Sequence, residues 1–578
     1  MKKLLTYLSE YKKESVLGPL FKLLEASFEL FVPLVVAAII DKGIANGNYG
    51  YIIRMCLVLV SLGIIGLVCS ITAQFFAAKA AVGFSTKLRH ALFKHITSLS
   101  HTEIDRLGYS TLTTRMTSDI NQVQSGINLV LRLFLRSPFV VFGAMVMAFT
   151  VDVKCAMIFV AAIPVLAVVV FGIMLITMPL YKKAQKGLDR VLKKTRENIT
   201  GVRVIRAFCK EESEIAGFET ENEQLVGVQK FVGKISALMN PLTYVIINTA
   251  VIWLIYRGAV QVNIGNLSQG KVVALYNYMS QILVELIKLA NMIISLTKAL
   301  ACTKRIADVM EIKNSLENGS VKEGIAGAPA VEFTDAALTY SGSREAAIEG
   351  VTFSAMRGET IGIIGGTGSG KSSLMHMIPR FYDVSGGSVR VDGVDVREYD
   401  IDALRRKIGF VPQKAVLFKG TIASNMKWGG DKISDDTARF AVRTAQAEDV
   451  VDGKDGMDSV VEQGGQNFSG GQRQRLTIAR ALAKEPEILI LDDSASALDF
   501  ATDAKLRAAI KALPYNPTVF IVSQRASSIM YADKIIVLDD GKPVGLGTHD
   551  MLLESCEVYR EIYYSQFPKD EEEDGESK

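Results

Sequence analysis

Long apolar runs occupy only the first half of the chain. Six of them, roughly 17–40, 52–78, 127–150, 153–178, 237–260 and 271–299, each reach the ~20 residues that a helix needs to cross a hydrocarbon core. The first carries Lys22 and Glu25; the sixth carries Asn277, Gln281, Glu285 and Lys288, so these two are the least apolar. The leading MKKLLTYLSEYKKES is too polar to precede a cleavable apolar region, and the first run is expected to be a retained span. Cations fall on one side of the alternation. They crowd the N-terminus (Lys2, Lys3, Lys12, Lys13) and the stretches after the second and fourth runs, whereas Lys42, Lys154 and Arg257 stand alone near span ends on the other side. The positive-inside rule then puts both termini and the two long loops in the cytoplasm. Those loops have few Gly or Pro, so they read as helical extensions of the spans, projecting roughly 37 Å per ~25 residues.

From about residue 325 the pattern changes to short strand-like runs alternating with helical ones, an α/β organisation. The predicted division is a six-helix membrane domain over 1–310, a linker over 311–330, an α/β domain over 331–568 and an acidic, disordered tail over 569–578. The strand-like Thr360-Ile361-Gly362-Ile363-Ile364 leads into Gly365-Gly366-Thr367-Gly368-Ser369-Gly370-Lys371-Ser372-Ser373, a full match to the phosphate-loop pattern. Glycines let backbone N–H groups wrap phosphate oxygens, and the following helix start adds partial positive charge. Lys371 is placed to reach the outer phosphates of ATP, and Ser372 to ligate Mg²⁺.

A second apolar strand, Ile488 to Leu491, ends in Asp492 and Asp493; Asp492 is assigned to Mg²⁺. Between these motifs, Phe468-Ser469-Gly470-Gly471-Gln472 opens a helix and makes a second anion site. It cannot serve the same face of the same nucleotide, which points to a second cassette and a nucleotide held between two chains.

With these motifs the chain resembles an ATP-binding-cassette (ABC) exporter half-transporter over essentially its whole length except the tail. The resemblance implies that two halves dimerise around two ATP molecules. It implies that Tyr340 stacks on adenine, that Gln413 touches Mg²⁺, and that Phe468 to Gln472 is the signature segment, with Phe in place of Leu. Ser496-Ala497-Leu498-Asp499 would pass signals between the two ATP sites, and the loops near Thr102–Ser110 and Gly201–Lys210 would be coupling helices.

Two positions depart from the family. The residue after the Mg²⁺ aspartate is usually Glu, the base that polarises water; here it is Asp493, shorter in reach by about 1.5 Å. The usual His near the end of the next strand is Gln524, which carries no ionisable proton. Both lie nearest the γ-phosphate. The expectation is a degenerate ATP site, paired with a non-identical half that supplies an intact one.

Composition adds two exclusions. A mean hydropathy of +0.24 argues against a wholly soluble chain, and a net charge of +4 over 578 residues gives nothing that points to nucleic acid. The six scattered cysteines read as reduced and structural. Polar residues on the spans, namely Glu25, Arg132, Arg136, Asn277, Gln281, Glu285 and Asn291, are the candidate contacts for an amphipathic substrate such as a drug, lipid or peptide. An importer on the exporter fold and an ATP-gated channel or regulatory subunit are the alternatives. No extra siderophore-binding domain and no long phosphorylatable insertion favours either.

Overall fold

The computed structural model describes residues 6–430, 432–453 and 455–567. The acidic tail expected over 569–578 lies outside them. The chain forms two compact units. One takes the described chain up to Thr97 together with Ser110–Ile312; the other takes Ser98–Tyr109 and the described chain from Lys313 onward.

The first unit is helical, and six of its helices are long and apolar enough to cross a membrane: Thr6–Ile44, Tyr49–Ser98, Tyr109–Val151, Val153–Thr200, Glu211–Asn263 and Gln269–Met310. All six expected spans are among them, including the two least apolar. The second and fourth run 50 and 48 residues, far beyond what the bilayer needs, so the loops between apolar runs are indeed helical extensions.

Water cannot drive such helices together inside lipid, so close packing of small residues and interhelical hydrogen bonds do it. Ala73, Ala77, Ala80 and Ala81 make a buried stripe on the second span, and a Cβ on Gly18 of the first span would touch the Ala77 backbone at 3.4 Å. Across the core of this unit, the buried Tyr278 hydroxyl donates to the Leu30 carbonyl at 2.6 Å. The fourth span starts at Asp152, whose carboxylate accepts the Cys155 amide at 2.7 Å and caps the helix.

The second unit begins with a short helix, α1 (His101–Leu107), and continues with residues 313–330, the expected linker. These run along the cassette, with Gly319 N donating to Tyr399 O at 3.0 Å and Ile325 N donating to Asp392 O at 2.8 Å. Strands β1 (Val331–Leu338), β2 (Ile348–Ala355), β4 (Gly386–Val391) and β5 (Val394–Asp395) form an antiparallel sheet in the order β2-β1-β4-β5.

The larger sheet contains β3 (Thr360–Gly365), β6 (Ile408–Val411), β7 (Ile488–Asp492), β8 (Thr518–Val522), β9 (Lys534–Asp539) and β10 (Lys542–Gly547) in the order β10-β9-β3-β8-β7-β6. All its pairings are parallel except the β9–β10 edge. Every residue of β7 and β8 is buried, as expected for strands covered on both faces. Phe353 joins the two sheets, stacking on Phe333 at 4.7 Å and meeting Phe520 edge-on at 6.5 Å. Because β3, β7 and β8 run side by side in one direction, their carboxyl ends open onto a single crevice, where open α/β sheets bind ligands.

Candidate functional site

The phosphate loop follows β3 directly and leads into α2 (Lys371–Met377). Its shape depends on glycine at two points. Gly368 and Gly370 have φ of +86° and +90°, and a Cβ on Gly370 would run into the Ala347 carbonyl oxygen. The Lys371 ammonium donates to the carbonyls of Gly365 at 2.9 Å and Gly366 at 2.5 Å, and to Ser369 Oγ at 3.3 Å. Burial lowers the Lys371 pKa, and the carboxylates of Asp493 and Asp492 oppose that shift. Thr367 and Gly366 are exposed at the loop's outer face, as is Gly368.

Asp492 ends β7 and Asp493 follows it with φ +47°, a left-handed conformation that turns its side chain out of the strand register. The two carboxylates therefore have different partners. Ser372 Oγ donates to Asp492 Oδ1 at 2.9 Å, and Gln413 Nε2 donates to Asp493 Oδ2 at 3.2 Å. Ser372, Asp492 and Gln413 offer the hydroxyl, carboxylate and amide oxygens that suit a hard octahedral cation, so the residues present fit Mg²⁺. When bound, the ion neutralises charge on the phosphate oxygens.

Burial raises the pKa of both aspartates, and for Asp492 the neighbouring Asp493 charge adds to it. A raised folded-state pKa means that ionisation penalises the folded protein fully above that pKa and not at all below about pH 4. Asp493→Asn should therefore raise the thermal unfolding midpoint at pH 7 in Mg²⁺-free buffer, with the gain vanishing towards pH 4. Tryptophan fluorescence melts of the full-length protein would show it, and an unchanged midpoint at pH 7 would count against the assignment.

The other sequence-predicted positions divide between the surroundings of the phosphate loop and the start of a separate helix. The Tyr340 hydroxyl donates to Ser373 Oγ at 2.8 Å, so its ring sits beside the start of α2. Gln524 follows β8 and is exposed. Ser469 caps α3 (Gly470–Leu482), with its hydroxyl accepting from Gln472 N and Gln472 Oε1 accepting from Ser469 N. Phe468 is buried as an anchor, while Ser469 and Gly470 face solvent and Gly471 is half-buried. That leaves the helix N-terminus presented outward. In the 496–499 loop, Ser496 Oγ donates to the Asp493 carbonyl at 2.8 Å and Asp499 caps α4 (Phe500–Lys511) through Thr502 N; Ala497 is exposed and Leu498 is buried.

Several residues of this site escape sequence reading. The Arg525 guanidinium donates to the carbonyls of Leu498 at 3.0 Å and Ser496 at 3.2 Å, and lies 5.2 Å from the Phe500 ring. It thereby ties the residue after Gln524 to the 496–499 loop. Tyr382 meets Tyr340 edge-on at 5.0 Å and donates to Asp105 of α1 at 2.5 Å. His101 of α1 packs on Phe381 at 4.8 Å. Thus α1, from the first expected coupling segment, is part of the cassette unit. The second, Val202–Ala207, is a short, largely exposed helix of the membrane unit.

Among the span residues, the structure brings Arg136 and Glu285 together, paired at 2.6 Å. Ser137 Oγ and Lys288 Nζ complete the shell of Glu285 at 2.8 and 2.9 Å. Arg136 also pairs at 2.6 Å with Glu29, which was not among the expected residues; its only sequence signal is a one-turn offset from Glu25. Glu25 belongs to a separate pair with Lys22 at 2.6 Å. Arg132 Nε and Gln281 Oε1 are buried without hydrogen-bond partners among the described residues. Asn277 is half-buried and Asn291 exposed, and neither joins the Arg136 network.

A phosphate loop, a Mg²⁺-type oxygen set and an outward-facing anion helix on a parallel sheet, fused to six membrane-length helices, define an ATP-driven membrane transporter. A family model described as the ABC transporter transmembrane region matches residues 15–286, and one described as ABC transporter matches 348–496. The chain is 36% identical over 569 residues to an uncharacterised ABC transporter ATP-binding protein of Mycobacterium tuberculosis, covering 97% of each. It is 26% identical over 568 residues to the ATP-dependent lipid A-core flippase of Vibrio vulnificus, covering 98% of this chain and 97% of that one. Among solved structures, a bacterial Atm1-family ABC exporter with ATP bound matches with a TM-score of 0.77 at 21% identity, covering 96% of this chain and 98% of that one, a likeness of fold.

The chain belongs to the ABC transporter family. It is a multi-pass plasma-membrane protein with a cytoplasmic cassette that binds ATP with Mg²⁺ and couples its hydrolysis to transport.

Proposed function

We propose that this chain is one half of a heterodimeric exporter of amphipathic molecules, and that its own phosphate loop holds ATP in a weakly hydrolytic site. The observation that carries this reading is the pair Asp493 and Gln524 beside the phosphate loop. Asp493 is the shorter carboxylate and is engaged by Gln413; Gln524 has no proton to exchange. Misplacement of a catalytic group by about 1 Å is enough to cost roughly 100-fold.

The exposed Ser469 and Gly470 at the start of α3 support the second part. They would complete the ATP site of a partner half that carries the Glu and His this chain lacks. Lys371, Ser372, Asp492, Asp493 and Gln524 would form the degenerate site with the partner's signature. ATP binding in both sites would favour closed cassettes through its higher affinity for that state, and hydrolysis at the intact site would reopen them. Full-length likeness to a protein named as a lipid A-core flippase supports an amphipathic, lipid-like substrate.

Purification of the chain alone and together with its genomic neighbour tests the proposal. The chain alone should hydrolyse ATP slowly and the pair on the order of 100-fold faster. Within the pair, Lys371→Ala should reduce turnover less than the matching lysine change in the partner. Strong turnover by the chain alone, or equal losses from the two lysine changes, would overturn it.

A further inference from the structure

Near the outer ends of the fourth and fifth spans lies a groove of about 420 Å³, walled by Met157, Ala161 and Val165 on one side and Ile246, Ala250 and Trp253 on the other. Apart from Thr249 its floor and walls are apolar, but its outer end is not: Lys154 and Arg257 both line it. Lys154 is the second residue of the helix Val153–Thr200, and Arg257 lies under two turns from the end of the helix Met239–Asn263. Both side chains are exposed. Neither has an ion-pair partner among the described residues. Lys154 and Arg257 are among the few cations on the side that the positive-inside rule leaves poor in charge.

A cation at the edge of the hydrocarbon snorkels to the headgroup level and is drawn to anionic headgroups there. Two at the mouth of one apolar groove define a ligand with an anionic head and a hydrocarbon tail. The groove's length sets the tail. From Lys154 to Val165, and from Arg257 back to Ile246, each wall runs roughly three helical turns, about 16 Å, close to the ~15 Å of a single leaflet. Trp253 sits one turn inside Arg257 and is more than half exposed, at 56%, as suits an aromatic ring at the membrane interface.

We propose that this groove binds an anionic phospholipid of the outer leaflet. Its phosphate lies between Lys154 and Arg257, and one acyl chain lies along the channel between the fourth and fifth spans. The groove shares no residue with the Arg136–Glu285 network.

Native mass spectrometry of the full-length protein, released from nanodiscs of equal parts phosphatidylglycerol and phosphatidylcholine, provides the test. Wild type should retain phosphatidylglycerol preferentially. Lys154→Gln with Arg257→Gln should lower that preference by roughly 25-fold, about fivefold per cation. Ala161→Trp, which fills the channel but keeps both cations, should also abolish retention. Inorganic phosphate at millimolar concentration should not displace the lipid; displacement would mean a phosphate site and would overturn the proposal. Equal retention of the two lipids by wild type, or an unchanged preference in the double variant, would overturn it as well. So would a groove shielded by a second chain, seen as no lipid on the assembled transporter. Unaltered ATP binding by both variants would show that they are folded.

Discussion

Asp493→Glu combined with Gln524→His should raise phosphate release by the purified full-length chain about 100-fold, the lower end of what a well-placed general base and its partner contribute. The scaffold for this gain is already present. Lys371, Ser372 and Asp492 are in place around the loop, and Arg525 holds the 496–499 loop against the end of β8. Residue 493 leaves the strand in a left-handed turn, so a side chain one methylene longer extends into the crevice rather than along the sheet. Gln413, which now donates to Asp493, remains available to a glutamate. Adding Lys371→Ala to the same background should return the rate to baseline, which ties the gain to this site. No increase in the double variant, with nucleotide binding intact, would mean that these two positions do not limit hydrolysis.

The second large effect lies among the spans. Arg136→Ala should destabilise the protein by about 2–3 kcal/mol, the loss of charge-assisted hydrogen bonds to Glu285 and Glu29, while Lys288 and Ser137 still engage Glu285. The side chains of Arg136 and Glu285 are only 8% and 4% exposed, so solvent does little to replace the lost guanidinium. Replacing both, as Arg136→Met with Glu285→Leu, should recover most of that loss, because well-packed apolar residues often match a buried pair in stability. Thermal unfolding in detergent measures both variants. A single variant close to wild type, or a double variant worse than the single one, would remove the pair from the stability account. If the double variant is stable but transports nothing, the network acts on substrate as well as on packing.

The parts of the molecule that were legible in the sequence share one property, local contiguity. Each span announces itself in ~20 adjacent residues, and the loop from Gly365 to Ser373 carries its glycines, lysine and hydroxyls in one stretch. The α/β order of the cassette follows from alternating short runs in the same way. What stayed hidden depends on partners far away in sequence. Tyr382 acquires meaning only beside Tyr340 and Asp105. Arg525 is one more basic residue until the carbonyls of Ser496 and Leu498 are seen in front of it. Glu29 reads as a flaw in an apolar run until Arg136 faces it. Residues 311–330, low in strand or helix pattern, read as a linker because hydrogen bonds such as Ile325 N to Asp392 O leave no periodicity behind.

The grouping of α1 with the cassette changes what counts as the soluble half of this protein. The chain enters that unit at Ser98, leaves it after Tyr109 and returns only at Lys313. A cut at residue 312 would therefore not release an intact module. It would leave Tyr382 without Asp105 and Phe381 without His101, uncovering an aromatic face beside Tyr340. Severed cassettes of this protein should be sticky and poor reporters of nucleotide affinity, whereas a version with residues 98–109 spliced back through a flexible tether restores the missing cover.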